Sequence, residues 1–351
     1  MCKRTVIDMF CGVGGLTHGL ILEGFNVVAG IDADEKCRFG FERNNPGACF
    51  IHNKIEKVHP HEVQNLYPEG HVKILVGCAP CQPFSTYKKK SGTSDEKWRL
   101  LLEFGQLIRS VRPDVVSMEN VPNLISFDKG RVLAQFIKLL EDDGYKVTYD
   151  VLYGPAYGIP QKRHRLVLFA SRFGEVSIMG ETHGPNEYLS VYDQIGHLPA
   201  LDAGETDEND PMHRARGLSA INLHRLQAST PGGSWREWNS DLIARCHQKE
   251  TGKYYNNVYG RMQWDEPAPT ITTQFYNFGA GRFGHPEQDR ALTLREGALL
   301  QTFPVTYEFI EPNKSYNLED VGRLIGNAVP VQLGQVIGRC IDFHLDFYGI
   351  G

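Results

Sequence analysis

A short apolar, β-branched segment, "TVID" at 5–8, runs into the glycine-rich turn "CGVGG" (11–15) and then into "LTHGLILEG" (16–24), which reads as a helix. "NVVAGID" (26–32) follows as the next strand. A strand that passes into a helix and returns so soon to a strand is the mark of a parallel crossover. The alternation continues with the strand "VKILVG" (72–77), a helix over 96–111 and the strand "DVVSMEN" (114–120). A helix over 130–144 then leads to strands near 146–152 and 165–171. The expected fold class is α/β, with a Rossmann-like, largely parallel sheet covered on both faces.

Near residue 172 the pattern stops. From there to about 290 the chain is rich in Gly, Pro, Asn and short polar stretches. "DAGETDEND" (202–210) carries five acids and reads as an exposed loop, whereas 211–264 holds eight Lys/Arg against three Asp/Glu. Order returns at "RALTLREGALLQTFP" (290–304), where Thr293 and Glu296 form a capping box ahead of an apolar run. "GNAVP" (326–330) then turns into a terminal helix. The expected division is residues 1–172 plus 290–351 as one domain and 173–289 as a smaller, mixed module.

The formal charge of −5 gives no global sign of a nucleic-acid partner, but basic residues can be concentrated on one face. No apolar run approaches the roughly 18–20 residues that span a bilayer, so no membrane partner is expected. The first residues enter a strand at once, leaving no room for a signal peptide. Eight scattered cysteines fit a reducing compartment, and the expected location is cytoplasmic.

Gly12, Gly14 and Gly15 between strand and helix let the backbone approach a nucleotide-like ligand closely. Asp32, twenty residues after Gly12, ends the second strand, where a carboxylate can accept from both ribose hydroxyls. G-x-G-G is not the dinucleotide G-x-G-x-x-G. S-adenosylmethionine, with a ribose and an adenine but no phosphate, therefore suits the turn better than NAD.

"GCAPCQPFS" (77–85) holds Cys78 and Cys81 in a C-x-x-C arrangement. A redox dithiol has no use for the glycine turn and its acid. A structural zinc site needs four ligands, and no second pair stands at suitable spacing. An inert buried pair and a single working nucleophile remain. The nucleophile needs partners, and Glu119 ends a strand that should lie beside the one ending at Gly77. A carboxylate on a buried strand is costly unless it has work or a partner. In "QKRHR" (161–165) at the mouth of a strand, Gln161, Arg163 and Arg165 alternate onto one face, where two guanidiniums could hold a phosphate or a carbonyl oxygen and orient the glutamate.

These segments, in this order, resemble the DNA (cytosine-5) methyltransferases, particularly the compact bacterial ones. "DMFCGVGGLTHG" (8–19) is similar to the family's cofactor loop and "GCAPCQPFS" to its Pro-Cys-Gln nucleophile loop. "MENV" (118–121) resembles the Glu-Asn-Val motif, "QKRHR" the Gln-x-Arg-x-Arg motif, and 290–304 and "GNAVP" the last two motifs. The resemblance implies an S-adenosylmethionine-dependent methyltransferase sheet with a target recognition domain at 173–289.

It further implies that Cys81 attacks C6 of a cytosine flipped out of duplex DNA, with Glu119 on N3 and the amino group, Arg165 on O2, and Arg163 supporting the nucleophile loop or a phosphate. Phe10, Gly12, Gly14, Asp32, Leu100 and Asn327 fall at cofactor positions. Gln82, Ser85, Lys89, Gln161 and Arg236 are the expected DNA contacts, and no metal is implied. Lys54 stands where most relatives have an acid facing the adenine, and Lys97-Trp98 where Arg-Asn is common. Cys78 is assigned no chemistry, so Cys78→Ala is expected to retain activity.

The expected activity is sequence-specific DNA methylation by a monomer, as the modification half of a restriction–modification system with a separately acting endonuclease. Other readings are a tRNA cytosine-5 methyltransferase, a non-catalytic DNA-binding relative and an NAD-linked dehydrogenase. The tRNA branch carries a Cys-Phe-Thr signature, whereas Cys246 here precedes His247 and Gln248. An intact Cys81, Glu119 and Arg165 argue against a decayed site.

Overall fold

The computed structural model describes residues 4–80 and 98–350. The chain opens with β1 (Arg4–Met9), α1 (Gly15–Leu22), β2 (Asn26–Asp32), α2 (Arg38–Asn44), β3 (Cys49–His52), α3 (Pro60–Asn65) and β4 (Val72–Gly77). It continues through α4 (Arg99–Val111), β5 (Val115–Asn120), α5 (Arg131–Asp142), β6 (Lys146–Tyr153), β7 (Gln161–Lys162) and β8 (His164–Ser171). The remaining elements are α6 (Val191–Ile195), α7 (Ala220–Gln227), β9 (Ala268–Pro269), α8 (Leu294–Leu300), α9 (Leu318–Asn327) and α10 (Val331–Phe347).

Two compact units result. The first comprises Met1–Tyr157, His164–Thr182 and Val329–Gly351. Its seven-stranded sheet has the order β3-β2-β1-β4-β5-β8-β6. The first five strands pair in parallel, and β8 runs antiparallel to both β5 and β6. The link between β6 and β8 is too short for a crossover helix, which is why that pair is antiparallel.

β5 is buried along its whole length and β4 nearly so, as befits central strands covered on both faces. In α4, Leu101, Phe104, Leu107, Ile108 and Val111 recur at helical spacing and join the core beneath the sheet. Phe104 stacks on Phe136 of α5 with ring centroids 6.3 Å apart. Elsewhere in this unit α1 lies directly on α10: a Cβ on Gly19 would meet Val331 O at 2.3 Å and Gly334 Cα at 2.7 Å. Only glycine permits so close an approach of two helix backbones. Arg4 of β1 adds ion pairs to Asp342 and Asp346 of α10.

The second unit comprises Gly158–Arg163 and His183–Ala328. It is mixed and loop-rich, with short helices, the two-residue ladder β7–β9 and a core of Leu226, Trp235, Trp238, Phe278 and Ala291. The sequence division returns the chain to the first domain at residue 290, whereas the packing does so at Val329. Buried polar pairs explain the difference. Arg290 forks onto Glu296 (2.8 and 2.7 Å), Arg295 reaches Asp210, and His213 meets the Thr293 hydroxyl at 3.1 Å. The expected capping box is present, with Thr293 accepting from the Glu296 N–H and Glu296 from the Thr293 N–H. Among the described residues no helix is long and apolar enough to cross a membrane.

Candidate active site

The glycine turn leaves β1 at Met9. Phe10 takes a φ of 60°, Gly12 of 52° and Gly14 of 90°, the last as the N-cap of α1. This left-handed path aims the Gly12 N–H back at Asp32, whose Oδ2 it meets at 2.9 Å, while Asp34 N–H donates to Oδ1 at 2.8 Å. Burial raises the Asp32 pKa, and the backbone donors of Asp34 and Gly12 oppose the rise. Each oxygen thus has one protein donor and capacity for another. A Cβ on Gly12 would meet nothing within 4 Å, so the turn borders open space. Phe10 packs edge-on to Phe104 at 6.0 Å, and Leu100, at the start of α4, lies against the same core. A ribose with two hydroxyls fits this cradle.

Beneath the turn lies an acid that sequence reasoning passed over. Asp8 is buried, Thr17 Oγ1 donates to its Oδ2 at 2.7 Å, and Oδ1 has no hydrogen-bond partner among the described residues. Burial pushes this carboxyl up to about 7 despite the Thr17 bond, with the Asp32 charge adding to the rise. An acid inside an apolar strand was the available signal.

The second cluster sits where β4 and β5 end side by side. Gly77 pairs with Met118, so the next residue on each strand brings Cys78 beside Glu119. Cys78 N–H still reaches Met9 O at 3.3 Å, extending the β1–β4 ladder by one residue. Glu119 is 3 % exposed. Arg165 Nε stands 2.9 Å from its Oε1, and the Cys78 thiol donates to Oε2 at 2.7 Å. The Asn120 side chain donates to Ala79 O at 3.1 Å, fixing the backbone that leads to Pro80. A buried carboxylate with a guanidinium on one oxygen can bind or exchange a proton at a substrate nitrogen.

Other expected site residues fall elsewhere. Cys81, Gln82, Ser85 and Lys89 lie outside the described residues. Gln161 and Arg163 fall in the second unit and Arg165 in the first; all three are more buried than Lys162 and His164 between them. Gln161, expected on DNA, is fully buried; its amide donates to Leu300 O and Gln301 Oε1 and accepts from Ile271 N–H. With that surface and bonding capacity spent inside the unit, it is a structural clamp. Arg163 is buried and donates to Gln161 Oε1 and Ile271 O. Asn327 ends α9 with an exposed side chain. Arg236 is exposed over Trp235, 4.9 Å from the ring centroid, with bonds to Asn256 and Lys253 O. Lys54 is also exposed. Cys78, assigned no chemistry from sequence, touches Glu119.

The sheet and its carboxylate belong to a recognised class: this chain is a member of the C-5 cytosine-specific DNA methylase family, whose family model matches residues 4–342. Its activity is that of a DNA (cytosine-5-)-methyltransferase. It is 55 % identical over 341 residues to the Type II methylase M.HgiDII of Herpetosiphon aurantiacus, covering 97 % of this chain and 96 % of that one. It is 32 % identical to the Type II methyltransferase M.PspPI of a Psychrobacter strain, over 96 % of this chain and 78 % of the relative. In fold it is similar to a DNA modification methyltransferase encoded within an E. coli prophage, with TM-score 0.75 at 19 % identity, covering 98 % of this chain and 99 % of that one. Spodoptera frugiperda DNMT2 follows at TM-score 0.65 and 16 % identity, covering 97 % and 99 %.

Proposed function

We propose that this protein is the modification enzyme of a Type II restriction–modification system, acting as a monomer on a specific duplex DNA sequence, with a separately acting endonuclease as its counterpart. The naming of M.HgiDII as a Type II methylase, at 55 % identity across nearly the whole of both chains, supports the genomic role. The observation that carries the chemistry is the buried Glu119 carboxylate, braced by Arg165 and next to the strand end that leads in sequence to Cys81.

S-adenosylmethionine, when bound, supplies an electrophilic methyl group on a sulfonium. Gly12 and Gly14 would admit it, Asp32 would take the ribose hydroxyls, and Phe10 and Leu100 would line the cradle. A cytosine stacked in a duplex hides C6, so the target base has to be extruded. The Cys81 thiolate adds to C6, while Glu119 shares a proton with N3 so that charge does not build on the ring. C5, now enamine-like, would accept the methyl as the S–CH3 bond breaks and S-adenosylhomocysteine leaves as a neutral thioether, and would then lose its proton to a base. Elimination across C5–C6 returns Cys81 as the thiolate. Arg165 serves twice, holding Glu119 and offering its guanidinium to the cytosine O2. Arg163 would steady the nucleophile loop, and residues 173–289 would read the sequence, with Arg236 on the backbone.

The test is transfer of labelled methyl from S-adenosylmethionine to duplex DNA by the purified protein. Incorporation that disappears in Cys81→Ala is the expected result. Normal turnover by the alanine variant, or label in tRNA and not in DNA, would sink the reading.

A further inference from the structure

Cys78 carries an inference that the resemblance did not. Its thiol lies 2.7 Å from Glu119 Oε2, on the opposite side of the carboxylate from the Arg165 contact to Oε1 at 2.9 Å. The placement is built into the sheet. The Gly77–Met118 pairing makes Cys78 and Glu119 neighbours, and the Cys78 N–H bond to Met9 O holds the backbone that carries the thiol. Asn120, next to Glu119, bonds to Ala79 O, next to Cys78, so the two strand ends are tied on both sides of the contact. The ion pair to Arg165 is weakly directional, and Oε1 makes no hydrogen bond among the described residues. The S–H donor to Oε2 is therefore the directional contact that sets the plane of the carboxylate.

We propose that Cys78 is a positioning residue for the Glu119 carboxylate, donating its S–H to Oε2 so that the group is fixed in plane before the base arrives. The inference rests on the reading of Glu119 as the group that meets N3. Orientation of a proton-sharing group is a transition-state requirement. Losing it lowers kcat while leaving the affinity for DNA and methyl donor in place.

The experiment is steady-state kinetics on Cys78→Ala, Cys78→Val and Cys78→Ser, with thermal unfolding of each variant and Glu119→Gln in parallel. Alanine and valine both remove the donor, and valine keeps the volume filled. Both should lower kcat about tenfold, the scale of one hydrogen bond to a charged group, with KM for DNA and donor within about twofold. Serine restores an O–H donor and should recover kcat to within about threefold of the parent. Parent-like kcat in Cys78→Ala overturns the proposal. So does recovery by valine but not by serine, because that marks the thiol as an apolar filler. A loss confined to KM or to thermal stability overturns it as well. Glu119→Gln separates the two readings. If it is inactive while Cys78→Ala turns over normally, only the present inference falls. If it turns over like the parent, the role given to Glu119 falls first.

Discussion

Asp8 and Glu119 face the same physical problem and solve it differently. Both are acids in apolar strands, but Glu119 has a guanidinium and Asp8 has only the Thr17 hydroxyl. Asp8 therefore holds its proton to about pH 7, against an ordinary value of 3.8. Between those values the unfolded chain has lost a proton that the folded chain keeps. The contribution of Asp8 to stability is thus greatest below about pH 4, declines toward pH 7 and is flat beyond. Asp8→Asn keeps an acceptor for Thr17 and removes the slope. Above pH 7 it should be more stable than the parent by on the order of a few kcal/mol, with the difference vanishing near pH 4. Urea titrations across that range check it. Glu119 was legible in sequence because a buried carboxylate must be compensated, and the same argument applied to "TVIDMF" would have found Asp8. Cys78 was not legible, since only the β4–β5 register brings it to Glu119. Nor was Gln161, whose partners Ile271, Leu300 and Gln301 lie more than a hundred residues away.

The elements themselves were largely readable. β1, β2, β4 and β5 announce themselves as β-branched apolar runs, and α4 and α5 as segments of helical period. β3 was missed, because four residues with two exposed ends carry little pattern. The direction of β8 was missed too, since strand polarity depends on the connection rather than on composition. The ladder breaks at Arg163, between β7 and β8, a division that the alternating burial of 161–165 does not announce. At the α1–α10 crossing the prediction is mechanical. Gly19→Ala places a methyl 2.3 Å from a backbone oxygen, and no side chain can turn aside to accept it. The helices must separate, at a cost of about 1–3 kcal/mol, the usual range for overpacking. Chemical denaturation of the variant measures it.

At the scale of the whole molecule, two buried acids, one in each unit, respond to pH in opposite senses. The contribution of Asp8, in the first, declines as pH rises. In the second, burial alone would raise the Glu296 carboxyl, but the Arg290 hydrogen bonds and charge, with His285 and the Thr293 N–H, bring it down to about 2. Its contribution is complete above about pH 4.5 and is lost as pH falls through 2. Glu296→Gln strands a fully buried guanidinium and should cost about 3–5 kcal/mol at pH 7. Three of the four tryptophans, Trp235, Trp238 and Trp264, lie in the second unit, so fluorescence-monitored denaturation reports this change directly. The boundary at Val329 eluded sequence reading because the ties that bind 290–328 to its unit are long-range polar pairs with no periodicity.

The glycine crossing of α1 and α10 also sets a timetable for synthesis. The helix that follows the glycine turn is among the first made, and its partner begins 309 residues after α1 ends. At ~5–20 residues per second, α1 waits roughly 15–60 s on the ribosome with its bare glycine face unoccupied. Only a chain translated through α10 can close the first unit, so nascent fragments, however long their second unit, carry no finished seven-stranded unit.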